Sequence, residues 1–120
     1  MDTRDYRNLL VWRRARALAM DVCRTTGQPA FRTQWGFRDQ MRRSAISVPS
    51  NIAEGNERGS DRDCARFFYF AKGSLAELST QTDIAREIGL LDDEFSKKWL
   101  RECDELGRML AALIRSRLRN

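Results

Sequence analysis

Histidine is absent from this sequence, which removes the commonest general base and the commonest metal ligand together. No apolar run approaches the ~18 residues of a membrane span, and the opening Met1 to Arg7 is charged where a signal peptide has its apolar core. A cytoplasmic chain with no membrane contact is therefore expected. Cysteine occurs only as Cys23, Cys64 and Cys103, far apart and in no metal-binding or redox spacing, so a reducing compartment and small buried hydrophobes are expected. With 2 Pro and 7 Gly in 120 residues the chain is neither collagen-like nor low-complexity, and 42% hydrophobic content suits one folded domain over residues 1–120.

What is abundant is arginine. Of the 22 basic residues facing 17 acidic ones, all but Lys72, Lys97 and Lys98 are Arg, and the pI is near 9.6. The forked guanidinium suits phosphate, although the same residues also serve surface salt bridges. The excess comes almost wholly from residues 1–60, which hold 11 basic and 6 acidic groups, while the C-terminus ends in Arg115, Arg117 and Arg119.

Apolar residues recur at helical spacing four times, and no segment alternates with period two, which predicts an all-α fold. A first helix over about Asn8 to Thr26 aligns Val11, Ala15, Leu18 and Val22, with Gly27 and Pro29 to stop it. A second, about Gln34 to Glu54, aligns Phe37, Met41, Ala45, Val48 and Ile52, with Gly55 as its stop. Ser60, Asp61 and Asp63 open a third, whose row from Cys64 through Phe68, Ala71, Leu75, Leu78 and Thr82 to Ala85 steps by four and three. Gly89 ends it, and Asp92 or Asp93 caps a fourth built on Trp99, Cys103, Leu106, Leu110 and Leu113. Four helices on short links predict an antiparallel up-down bundle.

Some features exceed what a lone bundle needs. Phe67 to Phe70 are four successive aromatics, so at least one points away from the seam. Ile46, Pro49 and Ala53 form a second apolar edge on the second helix, and together these suggest a subunit interface. Pro49 inside that helix removes a donor and crowds the Ala45 carbonyl, predicting a kink, with Ser44, Ser47 and Ser50 placed to satisfy freed carbonyls. Arg43, Ser47, Ser50 and Glu54 follow one another opposite the apolar stripe. Arg43 and Glu54 are three turns apart and cannot pair with each other. Gly73, inside the third helix, is expected to permit close helix packing.

The run from Gln40 to Gly55, which contains Arg42, Arg43, Pro49, Asn51 and Glu54, closely resembles the signature of the bacterial four-helix-bundle family of 23S rRNA intervening-sequence proteins. Leu9 to Ala15 with Trp12, and Phe67 with Ala71 to Leu78, which contains Gly73 and Glu77, agree in the same order along the chain. The departures are Gln34, where an acidic residue is usual, and Cys23, where an aromatic is frequent. The resemblance implies an up-down bundle assembling into a ring-like homopentamer without enzymatic activity. It also implies a similarity to the accessory protein of diversity-generating retroelements, which binds a reverse transcriptase and nucleic acid.

The residues themselves supply no catalytic constellation. Asp61 and Asp63 lack a third convergent carboxylate, no Cys has a His partner, and Gly55 to Gly59 is no phosphate-binding loop, so neither a metal nor another cofactor is expected. Arg42 and Arg43 are expected to pair with Glu54 or Glu77 at helix or subunit contacts. Arg13, Arg16, Arg115, Arg117 and Arg119, taken to lie off the apolar stripes, are the candidates for contact with RNA or DNA, and a ring would multiply the +5 of one chain. The expected function is a non-enzymatic homo-oligomeric bundle that binds or scaffolds nucleic acid. The alternative is a protein adaptor, such as an accessory subunit of a reverse transcriptase.

Overall fold

A computed structural model describes residues 5–119, so the charged start through Arg4 lies outside the described residues. These residues form four α-helices and no strand: α1 Leu10–Thr25, α2 Trp35–Asn56, α3 Asp61–Glu87 and α4 Asp93–Leu118. Short 3-10 turns at Tyr6–Asn8 and Pro29–Phe31 precede α1 and α2. Each helix packs on the next and α4 returns to α1, which closes a bundle of 48 × 22 × 22 Å. None of the described helices is long and apolar enough to cross a membrane.

The helix ends follow from local chemistry. Ser60 Oγ accepts from the Asp63 amide at 3.1 Å, with Asp61 and Asp63 in the first turn of α3. Asp92, rather than Asp93, caps α4, its Oδ1 accepting from the Phe95 amide at 2.8 Å. Gly89 takes φ 81°, a left-handed conformation that closes α3 while the Leu90 amide reaches back to the Ala85 carbonyl at 2.9 Å. At the end of α1, Thr26 Oγ1 donates to the Val22 carbonyl at 2.8 Å. Arg42 of α2 completes that end, donating from Nη2 to the Cys23 carbonyl at 3.0 Å and from Nε to Thr26 Oγ1 at 2.9 Å. A fixed cation thus meets the orphan carbonyls and negative dipole end of α1.

The core rows of α1 and α3 match the spacing read from the sequence: Val11, Ala15, Leu18 and Val22 are buried, as is every member of the Cys64 to Ala85 row. Cys103 and Cys64 are buried and Cys23 is half-buried, all three as free thiols. Trp99 is fully buried and its Nε1 donates to Asp21 Oδ2 at 2.7 Å, which satisfies the one polar atom of the ring.

Four local expectations need correction. The stripe of α4 ends on Ile114, which is buried, while Leu113 is only half-buried. Gly55 is not a helix stop, since α2 continues to Asn56. It is buried instead, and a Cβ there would come within 3.0 Å of the Cys64 carbonyl oxygen, Phe67 and Phe68. Gly55, not Gly73, is where two helices of this chain need a glycine, because Gly73 is exposed and a Cβ there meets nothing within 4 Å. Nor do the serines answer the Ala45 carbonyl that Pro49 leaves without its donor: Ser44 Oγ donates to Gln40 and Ser47 Oγ bonds Ser74 Oγ at 2.8 Å. Asn51 Nδ2 donates to the carbonyl and to Oγ of Ser47, both at 2.9 Å.

Candidate nucleic-acid interface

Where charge falls on a helix decides whether it can meet a partner. On α4 the buried stripe is Trp99, Cys103, Leu106, Leu110 and Ile114, so the opposite side carries Lys97, Arg101, Arg108 and Arg115. All four are exposed, and among the described residues none has an ion-pair partner. Arg101, Arg108 and Arg115 recur every seven residues, which spaces them about 10 Å apart along one face.

The acids of α4 would cancel this stripe if they stood beside it freely. Two of them are drawn toward α1 instead. Arg14 clasps Glu102 through Nε at 3.0 Å and through Nη2, and reaches Glu105 Oε1 with Nη1 at 3.3 Å. These hydrogen bonds from Arg14 hold the Glu105 carboxyl below the usual carboxylate range, with the Arg14 charge adding to the effect. In turn the bonds to Glu102 and then Glu105 raise Arg14 further above its ordinary value. Lys98, one residue off the stripe, is tied to Asp21 at 3.4 Å.

Of the arginines singled out by sequence, Arg16, Arg115 and Arg119 are exposed and, among the described residues, without an ion pair. Arg13 is exposed while donating from Nη2 to the Asn8 carbonyl at 3.2 Å. Arg117 does not lie off the apolar stripes. It is half-buried, with Nη1 3.5 Å from Cys64 Sγ, Nη2 donating to Asn56 Oδ1 at 3.3 Å, and its guanidinium carbon 5.9 Å from the Phe68 ring centre. Leu9, Leu10 and Val11 share an apolar cleft with Met109, Ala112 and Leu113, so the start of α1 and the last turns of α4 lie at one end. That end therefore gathers Arg13, Arg115 and Arg119.

The motif residues of α1 to α3 hold the bundle or face outward. Trp12 is half-buried and meets the Tyr6 ring edge-on at 5.1 Å. Arg42 closes α1 rather than pairing with an acid. Glu54 pairs with Arg58 at 2.9 Å, one turn on, so the expected pairing with Arg42 or Arg43 does not form within the chain. Arg43 is exposed with no ion pair among the described residues, and the Ser44 hydroxyl lies 3.5 Å from Glu77. Pro49 and Asn51 are half-buried.

Arg101, Arg108 and Lys97 escaped the sequence reading, although the seven-residue interval of the two arginines with Arg115 was a signal that could have found them. Among the described residues no group of three Cys, Asp or Glu side chains is placed to hold a metal ion.

Comparison with known proteins adds a family. A family model described as 23S rRNA-intervening sequence protein matches residues 7–112, a span that includes Arg101 and Arg108 and ends before Arg115. No curated protein matches the chain.

Proposed function

The chain belongs to the 23S rRNA-intervening sequence protein family, and from that premise we propose a non-enzymatic, self-assembling bundle that binds nucleic acid through phosphate contacts. The observation that carries this reading is the outer face of α4, where Lys97, Arg101, Arg108 and Arg115 have no ion pair among the described residues while Arg14 draws Glu102 and Glu105 aside. Arg13 and Arg119 extend the positive field at one end, and Arg16 adds to it further along α1. Contacts of this type neutralise phosphate and release counterions without reading bases.

The finer architecture in this reading is an antiparallel up-down bundle, bent at Pro49, that closes into a ring of five. Support for the antiparallel order comes from α1 and α4, where Arg14 meets Glu102 and Glu105 while Asp21, further along α1, meets the earlier Lys98 and Trp99. The ring follows from the resemblance of the Gln40 to Gly55 run to its family. Three free thiols fit a reducing, cytoplasmic setting.

The test is fluorescence anisotropy with a labelled single-stranded RNA, and DNA of the same sequence, across a salt series. Affinity should fall steeply with salt, and replacing Lys97, Arg101, Arg108 and Arg115 by Gln should flatten that dependence. No binding at ~50 mM salt, where such contacts are strongest, overturns the reading. A protein that then co-purifies stoichiometrically from cells would favour the adaptor role, including that of a reverse transcriptase accessory subunit.

A further inference from the structure

The four successive aromatics of α3 do not share one environment. Phe68 is fully buried, and Phe67 is half-buried with the Arg58 and Arg66 guanidinium carbons 4.3 and 5.1 Å from its ring centre. Phe70 meets Phe67 edge-on at 5.4 Å. Tyr69 stands outside that cluster and is 55% accessible. Among the described residues no other ring packs on it, and the one cation near its ring centre is Lys72 Nζ, at 5.9 Å.

Tyr69 also belongs to a row that the core does not use. Arg62, Ala65, Tyr69, Lys72, Ala76 and Ser79 follow one another by steps of three and four, and each lines one of two clefts between α3 and α4, of about 580 and 440 Å³. The facing row on α4 is Asp104, Arg108, Ala111, Arg115 and Leu118, at the same spacing. All but Arg115 line the same clefts, and Arg115 falls between Ala111 and Leu118. The two rows thus border one groove, about 26 Å long from Arg62 to Ser79. Ala65, Ala76, Ala111 and Gly107 put no long side chain into it.

Charge identifies the occupant. Arg62, Lys72, Arg108 and Arg115 border the groove, and among the described residues none of them is in an ion pair. Of the acids there, Asp63 is held by Arg66 at 3.0 Å, and Asp104 stands one turn from Arg108. Cations at such intervals around an exposed ring match a strand that alternates phosphate with a flat base. Stacking on an aromatic is sequence-tolerant, because every base has a π-face. A duplex keeps its bases stacked on one another and offers Tyr69 no free face. We propose that the groove between α3 and α4 takes single-stranded nucleic acid, with a base stacked on Tyr69 and the flanking phosphates held by Arg62 and Lys72 on α3 and by Arg108 and Arg115 on α4. The assignment rests on the phosphate binding proposed above, to which Arg108 and Arg115 already belong, and adds the path of the strand and its unpaired form.

The test is fluorescence anisotropy at ~50 mM salt with three labelled probes: a single-stranded RNA of about ten nucleotides, the same strand annealed to its complement, and a ribose-phosphate strand of equal length without bases. The parent should bind the intact single strand about tenfold tighter than the abasic one, the size of one stacked base. Tyr69→Leu keeps the charge and an apolar side chain at an exposed position, so circular dichroism should be unchanged while affinity for the intact single strand falls about tenfold and that for the other two probes holds. Tyr69→Phe should retain the parent affinity. Equal binding of intact and abasic strands by the parent, or an equal loss on single strand and duplex in Tyr69→Leu, overturns the groove assignment and leaves phosphate binding standing. A parent that binds none of the three probes overturns both. Light scattering should give Tyr69→Leu the parent mass, and a lower mass would place a second copy of the chain in the groove and overturn the assignment.

Discussion

Arg14 on α1 holds Glu102 on α4 with two of its guanidinium nitrogens, and its third reaches Glu105 on the same face at 3.3 Å. This contact has a structural effect, joining α1 to α4, and an electrostatic one, turning two carboxylates from the side that bears Arg101 and Arg108. Replacing Arg14 by Gln should therefore do two separable things. Denaturant unfolding should show a loss of about 1 kcal/mol, the upper range for a partly exposed pair in a network. RNA affinity at low salt should fall about threefold although Arg14 need touch no phosphate, because two negative charges return to the basic face. Glu105→Gln should raise that affinity, and an unchanged affinity in both variants would separate the clasp from binding.

The same clasp makes the fold sensitive to acid. Glu105 titrates below its unfolded value, so its contribution is present above the ordinary carboxylate range and is lost as pH falls through the lowered value. The difference in Tm between the parent and Glu105→Gln should be largest near neutral pH and shrink as pH falls below the ordinary carboxylate range. A difference that persists there would assign the effect to packing instead of charge.

The thiols should divide by burial. Cys23 is half-buried and should react first with a disulfide reagent in the native protein, while Cys64 and Cys103 react only as the chain unfolds. Burial pushes the Cys64 thiol up, and takes Cys103 from 9.0 to about 11. A raised thiol pKa favours the neutral native form, so this stability is complete below pH 9.0 and is lost as pH rises through about 11. Three equal reaction rates, or a Cys103→Ala variant with the same alkaline unfolding as the parent, would contradict this.

What was legible in the sequence is what local rules determine. A row such as Cys64 to Ala85 is contiguous only on a helix, and Ser60 and Asp92 cap because their short side chains reach the first free amides. Arg117 was not legible, since a terminal arginine cluster reads as solvated. Taking Leu113 instead of Ile114 as the end of the stripe rotates the face by one residue and carries Arg117 outward, whereas Ile114 places it inward, three residues on. Arg101 and Arg108 were masked by neighbouring Glu102, Asp104 and Glu105, whose charges cancel theirs along the sequence. That Arg14, 88 residues from Glu102, draws two of those acids away is a tertiary fact. The emptiness around Gly73 is another, since glycine inside a helix reads equally as a close approach.

Glycines at two helix positions should respond with opposite signs. Gly55→Ala places a Cβ 3.0 Å from backbone and ring atoms of α3, and overpacking of this kind should cost about 1–3 kcal/mol. Gly107→Ala on α4 meets nothing within 4 Å and should stabilise by about 0.5–1 kcal/mol through helix propensity. Denaturant midpoints moving in the same direction would mean that space does not govern these sites.

Arg117 and Arg115 offer the sharpest comparison, because they are two residues apart and of one chemistry. Arg117 lies between α4 and the ends of α2 and α3, donating to Asn56 and standing over Phe68, so Arg117→Gln removes contacts that the fold uses. A loss of about 1–2 kcal/mol is expected for a half-buried charged donor, with Tm lower by several degrees. Arg115 is exposed and has no ion pair among the described residues, so Arg115→Gln should leave unfolding within about 0.5 kcal/mol of the parent. Binding should reverse the order. Arg115→Gln should reduce the slope of log affinity against log salt by about one phosphate contact, while folded Arg117→Gln keeps the parent slope. If Arg117→Gln flattens the slope and leaves unfolding unchanged, its guanidinium reaches solvent and the inward contacts to Asn56 and Cys64 do not hold it.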